Sequence, residues 1–222
     1  SSSPRGARGG KARRSMSALK GSLSYVRLFV EDELPKDFRE RYMRAIRHRV
    51  IEPLRADDDA LERTGFCRIG EPFELSLRHD MVFFDSFINL GVRTDRWVFP
   101  GSLVKARLRE AEAAYLEKKG RQKLSKHERG ELKLAVQHKL KQKLTPQVRA
   151  VDLSWSLDEK LVRFFTHSPR SVAALLELFE KTCHIKLVIE APYTLAARAG
   201  ALKDRERVWE QLSPIDLTET RP

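Results

Sequence analysis

The sequence predicts an α+β protein: a mainly antiparallel sheet with packed helices, from which an antiparallel helical hairpin protrudes. Two observations carry this expectation. Short runs in which apolar and polar residues alternate, as on a strand, recur on both sides of the chain's middle. Between them, residues 100–149 place apolar residues every three or four positions, with a seam too narrow and a polar circumference too wide for burial. The chain therefore divides into a basic tail (1–22), a first α+β part (23–99), the hairpin (100–149), a second α+β part (150–200), and a short C-terminal helix with its tail (201–222). The two α+β parts form one main domain, and the hairpin is its tip.

Residues 1–22 are rich in Ser, Gly and Arg and have almost nothing to bury, which predicts disorder. In 23–30, Tyr25, Arg27 and Phe29 alternate with Ser24, Val26 and Leu28, the period-two pattern of a strand. Pro35 opens a helix to about residue 54: Phe38, Tyr42, Ile46 and Val50 stand four apart, with Met43 and Ile51 beside them. Its outer face carries Arg39, Arg41, Arg44, Arg47 and Arg49. Asp57, Asp58 and Asp59 make an acidic turn, and 65–70 read as a short strand bracketed by Gly65 and Gly70. Strands are expected at 73–77, 81–90 and 91–99, rich in Phe and Val.

Pro100, Gly101 and Ser102 close that sheet region. Residues 103–119 read as a helix whose seam is Val104, Leu108, Ala111 and Tyr115, and Gly120 ends it. Ser125 and Glu128 have the spacing of a capping box, hydroxyl to amide one way and carboxylate to amide the other. They start a second helix striped by Leu132, Val136, Leu140 and Leu144, which Thr145 and Pro146 stop. Helices of about 17 and 19 residues run roughly 25–28 Å at 1.5 Å per residue. Beyond them, strands at 151–155 and 161–166 flank a turn at 157–160. Ser168 and Pro169 suit the N-cap and first position of a helix to about Cys183, with Val172, Leu175, Leu176 and Phe179 inward. A strand at 185–190 ends at Pro192, and 204–212 read as a last, charged helix.

The chain carries 43 Lys+Arg against 31 Asp+Glu, a net charge of +12. Residues 1–22 hold Arg5, Arg8, Lys11, Arg13, Arg14 and Lys20 with no acid, and residues 103–149 hold fourteen bases and five acids. Those stretches contribute +6 and +9, which leaves −3 for the rest. Charge concentrated in this way points to a polyanionic partner. The candidate DNA-binding residues are Lys118, Lys119, Arg121, Lys123, Lys126, Arg129, Lys133, Lys139, Lys141 and Lys143. Lysines are point charges on long stems, suited to phosphates and not to reading bases.

The run WVFPGSLVKARLREAEAAYLEKKGRQKLSKHERGELKLAVQHKLKQKLTP, a strand hairpin, and SPRSVAALLELFEKTCHIKLVIEAPYTL then follow in an order that resembles the middle of the RdgC family of recombination-associated proteins. The strand at 23–30 and the turn at Gly65, Phe66 and Cys67 resemble the family's opening, with Phe66 where the family has Trp. The resemblance spans residues 19–197. It implies a bacterial protein of the cytoplasm and nucleoid that binds DNA without sequence preference, and the absence of basic residues interleaved with aromatics favours duplex over single strands. The resemblance further implies a homodimer, closed in the family into a ring with a basic hole, that limits recombinase action by occluding DNA. Family members continue well beyond the equivalent of Leu195, so the resemblance implies a C-terminally shortened member.

Other readings of the same residues stay open. The basic run also fits a solvated helix pair, or a protein- or RNA-interaction module acting through the hairpin. Attachment to a membrane surface needs bulky apolar residues opposite the charge, which the narrow seam lacks. No run approaches the ~18 apolar residues of a membrane span, and no secretory signal follows the basic start. Tyr115 lies in the hairpin seam, while Phe83, Phe84, Phe87, Trp97, Trp155, Phe164 and Phe165 fall in strands and are read as core rather than as base-stacking platforms. Cys67 and Cys183 are expected to be reduced structural thiols. The pairs His79-Asp80 and Cys183-His184 have no metal-ligand spacing, and no phosphate-binding loop or nucleophile elbow occurs. The expectation is a non-enzymatic protein with no cofactor or metal.

Overall fold

The computed structural model describes residues 24–198. The tail at 1–22 and the helix expected at 204–212 lie outside them. In chain order the elements are β1 (Val26–Val30), α1 (Phe38–His48), β2 (Glu62–Cys67), α2 (His79–Val82), β3 (Phe83–Phe84), β4 (Phe87–Arg96), α3 (Gly101–Lys119), α4 (Lys126–Lys141), β5 (Gln147–Ser156), β6 (Leu161–Phe164), α5 (Pro169–Cys183), β7 (Leu187–Ile189) and α6 (Pro192–Arg198). The strands form one antiparallel sheet in the order β2-β4-β5-β6-β1-β7, with β3 paired to the start of β4. The chain is thus α+β, with a long helical pair inserted between the two central strands β4 and β5.

Register gives the sheet two unlike faces. Leu90 and Val92 of β4, Val151, Leu153 and Trp155 of β5, Val162 and Phe164 of β6 and Leu28 of β1 are all buried on one of them. Onto it pack α1, through Tyr42, Met43 and Ile46, and α5, through Val172, Leu175 and Phe179. Trp155 is the centre of this layer, its ring 5.9 Å from Tyr42 and 5.1 Å from Phe179. The opposite face is polar where the sheet is widest. There Arg93 donates through Nε and Nη2 to the two oxygens of Asp95, both at 2.7 Å, and Nη1 reaches the Pro72 carbonyl at 3.1 Å. Asp152 accepts from the Gly70 amide at 3.1 Å.

The expected elements differ from the observed ones where long-range pairing overrides local pattern. The first helix ends at His48, because residues 49–51 turn to pair with β2: the Phe66 amide donates to the Arg49 carbonyl at 2.8 Å and the Ile51 amide to the Phe66 carbonyl at 2.9 Å. Pro53 has no amide to continue a helix in any case. Gly65 is needed for this approach, since a Cβ there would lie 2.6 Å from Ile51 Cα. Residues 73–77 are not a strand; Phe73 is largely exposed and lies against Arg93, 4.9 Å from its guanidinium carbon. Of the run at 81–90, only 87–90 join the long strand β4; before them come the end of one helical turn, the two-residue strand β3 and a tight turn with Asp85 at φ 53°. Gly91 is no boundary: β4 passes straight through it, and a Cβ there would meet Cys67 Sγ at 2.6 Å. β5 begins at Gln147, inside the stretch assigned to the hairpin, and Pro192 starts a short helix besides ending a strand.

Candidate nucleic-acid interface

α3 and α4 form the antiparallel hairpin, and local sequence explains how it turns. Gly120 takes the left-handed conformation at φ 62° that closes helix C-termini, and the Arg121 amide donates back to the Leu116 carbonyl at 3.1 Å. Five residues later the capping box forms in full: the Glu128 amide donates to Ser125 Oγ at 3.1 Å, and the Ser125 amide to Glu128 Oε2 at 2.8 Å. Glu128 also accepts from Tyr115 Oη at 3.1 Å and from Arg121 Nη1 at 3.2 Å, so one carboxylate ties both helices and the turn together. The Ser125 hydrogen bonds, followed by the Tyr115 bond, hold its carboxyl below the usual range, and the same bond raises the Tyr115 hydroxyl. Arg129 Nε lies 2.7 Å from Glu112 Oε1 across the seam. Apolar closure is weak. Val136 and Leu140 are buried on α4, while α3 has no buried residue.

Of the ten candidate bases, nine are exposed: Lys118 and Lys119 in the last turn of α3, Arg121 and Lys123 in the turn, Lys126, Arg129, Lys133 and Lys139 along α4, and Lys143 just beyond it. Arg121 and Arg129 share their charge with Glu128 and Glu112. Among the described residues, Lys118, Lys119, Lys123, Lys126, Lys133, Lys139 and Lys143 have no carboxylate within ion-pair distance. Lys141 is the exception and corrects the expectation. It is 6% exposed, and its Nζ donates to the carbonyls of Asp58 and Ala60. Helical residues turn 100° apiece, so Lys141 points away from Lys139 and Lys143. It anchors the hairpin's root to the loop before β2 and is not free for a phosphate.

Three further bases gather near that root, and nothing in the sequence places them together: Arg96 ends β4, Arg149, the last base of the charged stretch, follows the hairpin on β5, and Arg170 opens α5. Only sheet register and helix packing bring them together. The arginines of α1 serve structure in part: Arg39 donates to the Asp85 carbonyl at 2.8 Å and Arg47 to the Leu77 carbonyl at 3.1 Å. Cys67 and Cys183 are buried free thiols, each pushed up to about 12 by burial, so neither is an ionised nucleophile at neutral pH. Among the described residues no group of three or more His, Cys, Asp or Glu could hold a metal ion, and no helix is long and apolar enough to cross a membrane. No family model matches the chain, and no curated protein matches its sequence.

Proposed function

We propose that the chain binds DNA, duplex foremost, along the phosphate backbone and without reading base sequence, through the exposed bases of the α3–α4 hairpin. The observation that supports this most is charge sorting. Glu112 and Glu128 are drawn into the hairpin's seam, while the lysines of the turn and of α4 are left outward and unpaired among the described residues. Such an arrangement does little for stability and attracts polyanions. The resemblance to the RdgC family supports the same reading and extends it. In that extension the protein is a nucleoid component, coats or encircles DNA as a homodimer, and slows recombinase loading by occlusion without nucleotide or metal.

A second reading has one observation in its favour. An open groove of about 340 Å3 runs between the helices, lined by Ala111, Val136 and Leu140 together with Lys139 and Lys143, and would suit a protein partner. Salt separates the two readings. Neutralising Z phosphates releases counterions, so log K falls against log[salt] with a slope near −0.9Z on duplex DNA. With nine exposed bases, about half of them facing DNA, the expected slope is roughly −4 per protomer, the same for scrambled duplexes. A slope near −1, or preference for one sequence, would sink backbone tracking.

A further inference from the structure

The sheet face covered by α1 and α5 changes character toward the end where β4 leaves for α3 and β5 returns from α4. Cross-strand register lays the residues out in rows: Phe66, Val92 and Val151, followed by Thr64, Thr94 and Arg149, and finally Glu62, Arg96 and Gln147. The first row is apolar, and the last is polar with Glu62 and Arg96 charged. Beside them α5 begins, bringing Arg170 and Ser171. Together these residues line an open cleft of about 100 Å3, with Val92, Val151 and Phe164 on its apolar side and the exposed Arg96, Arg149 and Arg170 at its polar mouth.

Three arginines from three elements thus line one small cleft with one carboxylate among its lining residues, that of Glu62. Arg96 and Arg149 lie diagonally across neighbouring strands on the same face, a spacing at which like charges repel. Glu62 offsets part of this. Its Oε2 pairs with Arg170 Nη2 and lies 3.7 Å from Arg96 Nε. Arg149 has no carboxylate within ion-pair distance among the described residues. The cavity therefore holds a net excess of two positive charges, presented as planar forks that match the oxygens of a tetrahedral anion.

We propose that this cleft is a phosphate-binding site, and that the Glu62 carboxylate occupies in the free protein the position the phosphate takes when bound. The site accepts a phosphate group, not a whole nucleotide, because the cavity is small and its apolar side is closed by the sheet. The group arrives either as the terminal phosphate of a nucleic-acid strand or as a diester within one. None of the residues involved belongs to the hairpin's candidate set, so either proposal stands or fails without the other.

The test is titration of the full chain with inorganic phosphate by calorimetry at fixed ionic strength, followed by short duplexes with and without a 5′ phosphate. Arg149→Ala and Arg170→Ala each weaken phosphate binding about tenfold, while Lys186→Ala, which removes one exposed charge elsewhere, has no effect. Glu62→Gln tightens it severalfold, a gain that misfolding cannot imitate. Tighter binding of the 5′-phosphorylated duplex, lost in Arg149→Ala, assigns the site to strand ends. Equal binding of both duplexes, weakened by Arg149→Ala, assigns it to backbone diesters. Phosphate affinity indifferent to both Arg149→Ala and Glu62→Gln, or reduced equally by Lys186→Ala, overturns the proposal.

Discussion

On the polar face of the sheet, Arg93 is 4% exposed and forks onto an Asp95 that is 1% exposed. On the hairpin, Lys118, Lys119 and Lys123 stand in solvent with no acid in reach among the described residues. The two regions place the same kind of charge under opposite constraints. A guanidinium inside the fold must find its counter-ion and its remaining hydrogen bonds, and Arg93 does so with Asp95, the Pro72 carbonyl and the Phe73 ring. A surface ammonium needs nothing from the fold and remains available to a partner. Charge that is satisfied serves the structure, and charge that is left over is what the proposed DNA interface draws on. Lys141 shows that chain position alone does not decide between these roles, since it sits among the hairpin's bases and behaves like the buried set.

Breaking the buried pair should have the largest effect on stability. Asp95→Ala leaves Arg93 charged and without its partner, and urea unfolding should show a loss of about 3–5 kcal/mol. A loss under about 1 kcal/mol would mean that water reaches Arg93 and that the contrast with the hairpin is overdrawn. Reversing Lys118, Lys119, Arg121 and Lys123 together to Glu should do the opposite. DNA binding, followed by fluorescence anisotropy at moderate salt, should vanish, while the unfolding midpoint moves little because exposed substitutions act within about 0.5 kcal/mol each. Unchanged affinity would move the interface off the hairpin.

Lys139 and Lys141 sharpen the comparison within a single helical turn. Lys139→Ala should weaken DNA binding and leave stability alone. Lys141→Ala should leave DNA binding nearly unchanged and cost about 1–3 kcal/mol, because the carbonyls of Asp58 and Ala60 lose their donor. If both variants behave alike, the anchoring role assigned to Lys141 is wrong. The smallest effect expected is one of pH. The folded hairpin holds the Glu128 carboxyl below its ordinary value of 4.5, so its contribution is present above that value and is lost as pH falls through the lower, folded one. Protection of the amides in the first turn of α4, taken relative to their intrinsic exchange rates, should therefore fall in acid, and Glu128→Gln should remove that dependence. Exchange that is independent of pH after correction for intrinsic rates would show that the capping box does not hold the turn.

What the sequence determined by itself was local. Ser125 with Glu128, Gly120 after Lys119, and Ser168 before Pro169 mark helix ends because each acts on backbone groups within four residues, and all are found in those roles. Apolar periodicity likewise revealed the α+β class and the inserted helical pair. Tertiary structure alone decided the rest. Gly65 and Gly91 read as turns or breaks, yet each permits a close crossing with residues from elsewhere in the chain. Arg93, Asp95 and Asp152 form a buried polar face that strand alternation does not reveal, because burial depends on which loop covers a sheet. The gathering of Arg96, Arg149 and Arg170 depends on the register of β4 with β5 and on where α5 begins. Register is set by the summed packing of the whole sheet, so no short stretch of sequence contains it.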